Sequence, residues 1–83
     1  MNASDTYTTT LMATLPTGNK AIYELQPQQV NRQNFCNVTL NQIAIDYGRQ
    51  IAHSKDGRWY RARGWEEISD PRMIQLLEQT PQA

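Results

Sequence analysis

The pair Asp56-Gly57 is the feature that most constrains the fold of this chain. Asp-Gly is typical of the two-residue turn of a β-hairpin, because Gly adopts positive φ freely and Asp tolerates it. We therefore predict a hairpin in which Lys55 pairs with Arg58. A three-residue loop that includes Lys55 would shift the pairing by one residue. We prefer the first register because it gives a half-buried hairpin one apolar face.

The preferred register divides this hairpin into two faces. One face is mostly apolar and consists of Ile51, His53, Tyr60 and Ala62. The opposite face consists of Gln50, Ala52, Ser54, Trp59, Arg61 and Arg63. Residues two apart on a strand share a side, so Trp59, Arg61 and Arg63 are predicted to lie together on an exposed face.

The length of 83 residues allows one small domain, residues 1–83, in which residues 1–6 and 80–83 are expected to fray. So short a chain buries a small core and often needs a disulfide, a metal or a partner subunit. Cys36 is the only cysteine, which excludes an intrachain disulfide and favours a reducing, cytoplasmic setting. We therefore expect a homodimer, with no cofactor and no metal.

Membrane insertion and secretion are not expected. Residues 1–19 contain no apolar run behind a basic start, so no signal peptide is predicted. No stretch approaches the roughly 20 apolar residues that a membrane-spanning helix needs.

Two alternating runs in the first third of the chain predict another hairpin. Its apolar positions are Leu11, Ala13 and Leu15, followed by Ala21, Tyr23 and Leu25. A loop at residues 17–19 predicts the pairs Leu15 with Ala21, Ala13 with Tyr23, and Leu11 with Leu25. The polar residues 26–37 that follow are interpreted as a loop, with a short strand near Val30 or Phe35 as the alternative.

Two helices are predicted from capping signals and apolar spacing. Thr39 precedes Gln42 by three residues, as in a capping box, and Leu40, Ile43, Ala44 and Tyr47 follow helical spacing. Gly48 either ends this helix, which we favour, or lies within a helix that continues to Ile51. Asp70-Pro71 predicts the start of a second helix, which ends near Gln79 and turns Met73, Ile74 and Leu77 inward.

These elements predict an α+β fold: an antiparallel sheet of two β-hairpins, with two short helices packed on one face. A short strand near residues 65–68 is a further possibility. The residues expected to be buried together are Leu11, Leu25, Leu40, Ile43, Tyr47, Ile74 and Leu77.

The residues argue against most enzyme chemistry. Cys36 and His53 are the only thiol and the only imidazole, and a catalytic pair would need them in contact. Two such residues are too few for a structural zinc site, which takes four ligands. The four glycines are scattered, so there is no Gly-rich phosphate loop. We predict that the protein is not an enzyme.

Charge is distributed unevenly although the total is zero. Residues 48–63 carry five basic residues and one acidic residue, a net charge of +4, and residues 64–83 carry a net charge of −3. Exposed arginines bind carboxylates or phosphates, and a tryptophan among them can anchor a contact. The predicted binding residues are Arg49, Arg58, Trp59, Arg61, Arg63 and Trp65.

The predicted function is therefore non-enzymatic binding through this basic, Trp-containing hairpin, with another protein as the partner. The alternative is a small DNA- or RNA-binding regulator. The order of helix, basic two-stranded wing and helix loosely resembles small winged-helix regulators of mobile elements, although no family motif is matched. A third interpretation is a solvated strand face whose arginines pair with Glu66, Glu67 and Asp70.

Overall fold

A five-stranded antiparallel sheet forms the centre of the molecule. The computed structural model describes residues 8–83. The strands are Thr9–Thr14 (β1), Lys20–Leu25 (β2), Arg49–Lys55 (β3), Arg58–Arg61 (β4) and Glu67–Ile68 (β5). Each strand pairs with the next one along the chain. The helices are Pro27–Val30 (α1), Arg32–Cys36 (α2), Leu40–Tyr47 (α3) and Pro71–Glu78 (α4). The α+β class and the antiparallel sheet are confirmed, and the predicted fraying of residues 1–6 lies outside the described residues.

The hairpin of β3 and β4 has the predicted register. Lys55 pairs with Arg58 across the two-residue turn, and both turn residues have positive φ, 55° at Asp56 and 77° at Gly57. Asp-Gly suits this two-residue turn, because both of its residues adopt the positive φ that the turn requires.

The register of the first hairpin differs from the prediction by two residues. Ala13 pairs with Ala21 and Leu11 pairs with Tyr23. The loop lies one residue earlier than predicted and is not longer, because the Leu15 N–H donates to the carbonyl of Asn19 at 2.8 Å and leaves residues 16–18 between them. A shift of two residues leaves every side chain on its original face, so the predicted apolar face is still correct.

Both predicted helix starts are confirmed by hydrogen bonds at the caps. The Thr39 hydroxyl accepts from the Gln42 N–H at 3.1 Å, and Asp70 Oδ1 accepts from the Arg72 N–H at 3.0 Å. The helix α3 ends at Tyr47 and β3 begins directly after Gly48, as favoured.

The segment 26–37 is helical, so the predicted loop with a possible strand is wrong. Pro27 occupies the first turn of α1, where its missing N–H costs nothing, and the Gln26 N–H donates to Gln29 Oε1 at 2.8 Å. These residues form a reciprocal cap of the kind predicted at Thr39. The signal was therefore present in the order Gln26-Pro27-Gln28-Gln29, but the helix that it begins is only one turn long.

The core is divided between the two faces of the sheet. The cluster beneath α3 contains Leu11, Ala13, Ala21, Tyr23, Leu25, Ile43 and Ala44. The second cluster contains Met12, Ile22, Ala52, Trp59 and Ile68, with Met73, Ile74 and Leu77 of α4 against it. The two longer helices therefore pack on opposite faces, not on one face as predicted. The reason is that β1 and β2 carry consecutive apolar residues, which makes both of their faces apolar.

The predicted core is correct for one face only. Leu11, Leu25 and Ile43 are buried together, and Leu40 is half-buried beside them. Ile74 and Leu77 belong to the second cluster instead. Tyr47 is 49% exposed, and the Arg32 guanidinium lies 4.2 Å from its ring centroid. It lies at the C-terminal end of α3, where it lines an open pocket with Glu24 and Arg49 and is not part of the buried cluster.

The C-terminal residues bond to the edge of the sheet and are not frayed, in contrast to the expectation for residues 80–83. The Met12 N–H donates to the Pro81 carbonyl at 2.7 Å, and the Ala83 N–H donates to the Met12 carbonyl at 2.9 Å. Gln82 thereby forms a parallel bridge with Met12. This segment covers the middle of β1.

The side chain of Asn41 covers the next position of the same edge. Its Oδ1 accepts from the Thr14 N–H at 2.7 Å, and its Nδ2 donates to the Thr14 carbonyl at 3.0 Å. An amide group thus replaces the pairing that another strand would supply. A dimer through β1 would have to displace these bonds, so the predicted homodimer needs another surface and stays a prediction.

We expect the substitution Asn41→Ala to lower the free energy of unfolding by about 1 kcal/mol, because Thr14 loses two hydrogen bonds at a water-accessible edge. The Thr14 amide should also exchange its hydrogen faster, which NMR measures directly. Gln42→Ala on the same helix is the control, because its side chain donates to Asp46 Oδ1 and not to the sheet edge at Thr14. If the Thr14 amide exchanges its hydrogen at the same rate in both variants, Asn41 does not protect the sheet edge.

Candidate functional site

An open pocket lies on the face of the sheet that carries α3. It has a volume of about 340 Å³ and is lined by His53, Lys55, Asp56, Tyr60 and Trp65. His53 pairs with Ala21 of the α3 cluster, which places the pocket on that face. Because α3 packs on β1 and β2, the same face of β3 and β4 is left open. We call these five residues the aromatic pocket.

Three rings are packed together in the aromatic pocket. The rings of His53 and Tyr60 stack with centroids 5.4 Å apart, and the Trp65 ring meets His53 edge-on at 4.8 Å. These distances are typical of favourable aromatic pairs. His53 Nδ1 is buried and has no hydrogen-bond partner among the described residues. A buried polar atom without a partner costs free energy, so the pocket holds an unused hydrogen-bonding group.

Trp65 is held at the surface by an unusual backbone. It ends the turn of residues 62–65, in which Gly64 has a φ of 80° and Trp65 itself has a φ of 59°. The turn is closed by the Arg61 N–H, which donates to the Glu66 carbonyl at 2.7 Å. Positive φ is uncommon for a bulky residue, and such strained residues cluster at functional sites. The Trp65 side chain is 69% exposed.

Trp59 is not exposed, so the prediction that it anchors a binding face is wrong. Its side chain is only 6% exposed and belongs to the cluster beneath α4. The hairpin register was right, but α4 covers the face that the sequence indicated as open. The face interpreted as apolar and buried, with His53 and Tyr60, is the one that is half-open.

The four predicted arginines do not form one surface. Arg58 shares a face of β4 with Tyr60, whereas Arg61 lies on the α4 face, where its Nη2 is 3.6 Å from Met73 Sδ. Arg63 lies in the turn before Trp65, and Arg49 lies at the far end of β3. All four are exposed. The predicted binding set is therefore divided between both faces and both ends of the sheet.

The solvated-face interpretation holds for one arginine. Arg58 Nη1 lies 3.4 Å from Glu67 Oε1, the only ion pair among residues 8–83. Both side chains are largely exposed, so this pair adds little to stability.

His53 and Tyr60 are site residues that the sequence analysis did not identify. They were assigned to the buried face because they alternate with polar residues. The available signal was the width of the predicted sheet. The strands β3 and β4 make the sheet wider, and a single short helix on one face leaves part of that face uncovered. How far a helix covers a sheet depends on tertiary packing, which periodicity does not report.

The exposed Cys36 lies on α2 and is not among the residues that line the aromatic pocket. Within residues 8–83, no group of three or more His, Cys, Asp or Glu side chains is arranged to hold a metal ion. No helix in this part of the chain has the length and apolar character to cross a membrane. Comparison of the chain with protein-family models, with curated proteins and with solved structures found no match.

Proposed function

We propose that this chain is a non-enzymatic binding protein that contacts another protein through the aromatic pocket, with Trp65 as the anchor. The observation that carries the proposal is the 69% exposure of Trp65 on a backbone of positive φ. A large aromatic side chain held in one place loses little entropy when a partner covers it. Tryptophan is accordingly enriched among the residues that dominate binding energy at protein interfaces.

The charges around the pocket favour a protein partner. Lys55 and Asp56 line it, and Arg58 pairs with Glu67 on the same face. Groups of both signs are therefore present on this face of the sheet. A polar rim of mixed sign around an aromatic centre is typical of protein interfaces, whereas nucleic-acid surfaces are mainly positive.

A nucleic-acid partner is the second candidate, supported by the rings themselves. Tyr60 and Trp65 offer stacking surfaces beside Lys55, and bases stack on such rings without sequence preference. Salt discriminates between the two candidates. Affinity for nucleic acid falls steeply as salt rises, because phosphate contacts release counterions.

The lone thiol of Cys36 supports a reducing, cytoplasmic setting for this function. The absence of Cys36 from the surroundings of His53 supports a role without nucleophilic catalysis.

We expect Trp65→Ala to weaken partner binding by about 2 kcal/mol or more, since it removes the central aromatic contact. Phe35→Ala is the matched control, because Phe35 is another exposed aromatic residue, 86% exposed, on α2. The partner would be captured from lysate of cells that express the protein, with and without nuclease treatment, then purified for titration calorimetry with each variant.

Three outcomes would contradict the proposal. Wild-type protein and Trp65→Ala binding the partner equally would remove Trp65 from the interface. Loss of binding in Phe35→Ala but not in Trp65→Ala would place the interface at α2. Capture that disappears after nuclease treatment, with steep salt dependence, would identify nucleic acid as the partner.

A further inference from the structure

A second concave surface lies between α4 and the sheet, on the face opposite the aromatic pocket. This groove has a volume of about 370 Å³. Its main lining residues are Ile22, Ile51, Ile68, Met73 and Leu77, with Arg61 as the charged member. Pockets of roughly 300–1,000 Å³ that are mostly apolar and carry few polar groups are typical of small-molecule sites.

The groove exists because α4 does not close onto the sheet. None of the α4 residues is fully buried, and Met73, Ile74 and Leu77 are only half-buried. The strand beneath is irregular, because Ile22 pairs with Ala52 whereas Tyr23 pairs with Gln50. Ile51 is therefore the extra residue of a β-bulge, and bulges redirect side chains. The small Ala52 side chain beside it leaves space that a larger residue would fill.

Arg61 provides the only cation among the groove's lining residues, and its charge is uncompensated. Its guanidinium contacts Met73 Sδ at 3.6 Å, and it forms no ion pair with any residue in the described part of the chain. A thioether sulfur is a weak acceptor. The guanidinium donors form a planar fork that matches the two oxygens of a carboxylate.

We propose that this groove binds a small carboxylate with an unbranched apolar tail, of the medium-chain fatty-acid class. The carboxylate would pair with Arg61, and the tail would lie along Ile51, Ile68 and Leu77. The complementary charge points to a monoanion, because Arg61 is the one charged side chain that lines the groove among residues 8–83. The site lies on the other face of the sheet from Trp65, so it is independent of the proposed partner contact.

The probe is decanoate below its micelle concentration, titrated into the full chain and followed by NMR. We expect saturable shifts confined to residues that line the groove. Arg61→Gln should weaken decanoate binding by about tenfold, because it removes a charged hydrogen-bonding partner. Arg72→Gln removes an exposed charge from α4 outside the groove and should bind as wild type does. Decanol, which has the tail without the charge, should bind wild type about tenfold more weakly than decanoate does.

The absence of saturable shifts in wild type would overturn the proposal, as would shifts centred on Trp65 and His53. Equal decanoate affinity in Arg61→Gln and Arg72→Gln would exclude the ion pair. A thermal melt of each variant shows whether it folds. If Arg61→Gln fails to fold, the comparison of decanoate with decanol on wild type decides the matter, since equal affinities would also exclude the ion pair.

Discussion

Replacement of Trp59 by alanine should lower the free energy of unfolding by about 3–5 kcal/mol. Trp59 is 6% exposed and lies on the face of β4 that α4 covers, in a cluster with Met12, Ile22 and Ile68. Its removal would leave a cavity that these neighbours fill only in part. Such a loss is a large fraction of the total stability of a small domain, so the variant should unfold at a much lower urea concentration than wild type does.

Trp65→Ala is the matched control for this prediction, because it removes the same side chain from an exposed position. It should change the free energy of unfolding by roughly 0.5 kcal/mol or less. Urea titrations followed by circular dichroism measure both values. If the two variants unfold at the same urea concentration, the assignment of one tryptophan to the core and the other to the surface is wrong.

The contrast between the two tryptophans separates what the sequence could predict from what it could not. The register around Trp59 follows from Asp56-Gly57, a local signal of backbone conformation. Which face of the hairpin is buried is not local, because it depends on where α4 packs some ten residues further along the chain. The sequence places Arg61 and Arg63 on the same side as Trp59, and such a charged face is typical of a surface exposed to solvent. The sequence therefore predicted that Trp59 is exposed together with Arg61, whereas in the structure Trp59 is buried and Arg61 is exposed.

Trp65 was predicted to be a binding residue, but the reason for that prediction differs from the structural observations that now support a binding role. The sequence placed it near a basic strand. The structure shows a turn with positive φ at two successive residues and a ring fixed against His53. Positive φ at Gly64 is foreseeable from glycine's freedom. At Trp65 it is not, because bulky residues rarely adopt it.

Strand β4 supplies residues to both surfaces of the protein. Tyr60 lines the aromatic pocket, whereas Arg61 lines the groove beneath α4. Adjacent residues point to opposite faces of a strand, so a change in pairing by one residue would exchange them. The Asp56-Gly57 turn prevents this change, and the arrangement of both surfaces therefore depends on the hairpin register that the sequence predicts.

Replacement of Gly48 by alanine should cost about 3 kcal/mol, the upper end of the range for overpacking. Gly48 was predicted to end α3, and it does, but its φ of −75° is open to any residue. Glycine is needed here for close approach. A Cβ at this position would lie 2.6 Å from the Ala44 carbonyl oxygen and 2.9 Å from the Tyr23 Cβ. Both neighbours are parts of buried residues that cannot rotate away.

Gly18→Ala is the control, because Gly18 has a φ of 92° and, apart from its chain neighbours, no described residue has an atom within 4 Å of an added Cβ. Its cost should come from backbone strain alone, about 1 kcal/mol. Tyr23 offers a local measurement: burial raises the pKa of its hydroxyl, and a displaced ring would lose part of that shift. In Gly48→Ala the Tyr23 pKa should therefore move back toward 10.0, whereas in Gly18→Ala it should not change. Equal stability losses in the two variants, with the Tyr23 pKa unchanged in both, would contradict the steric role of Gly48.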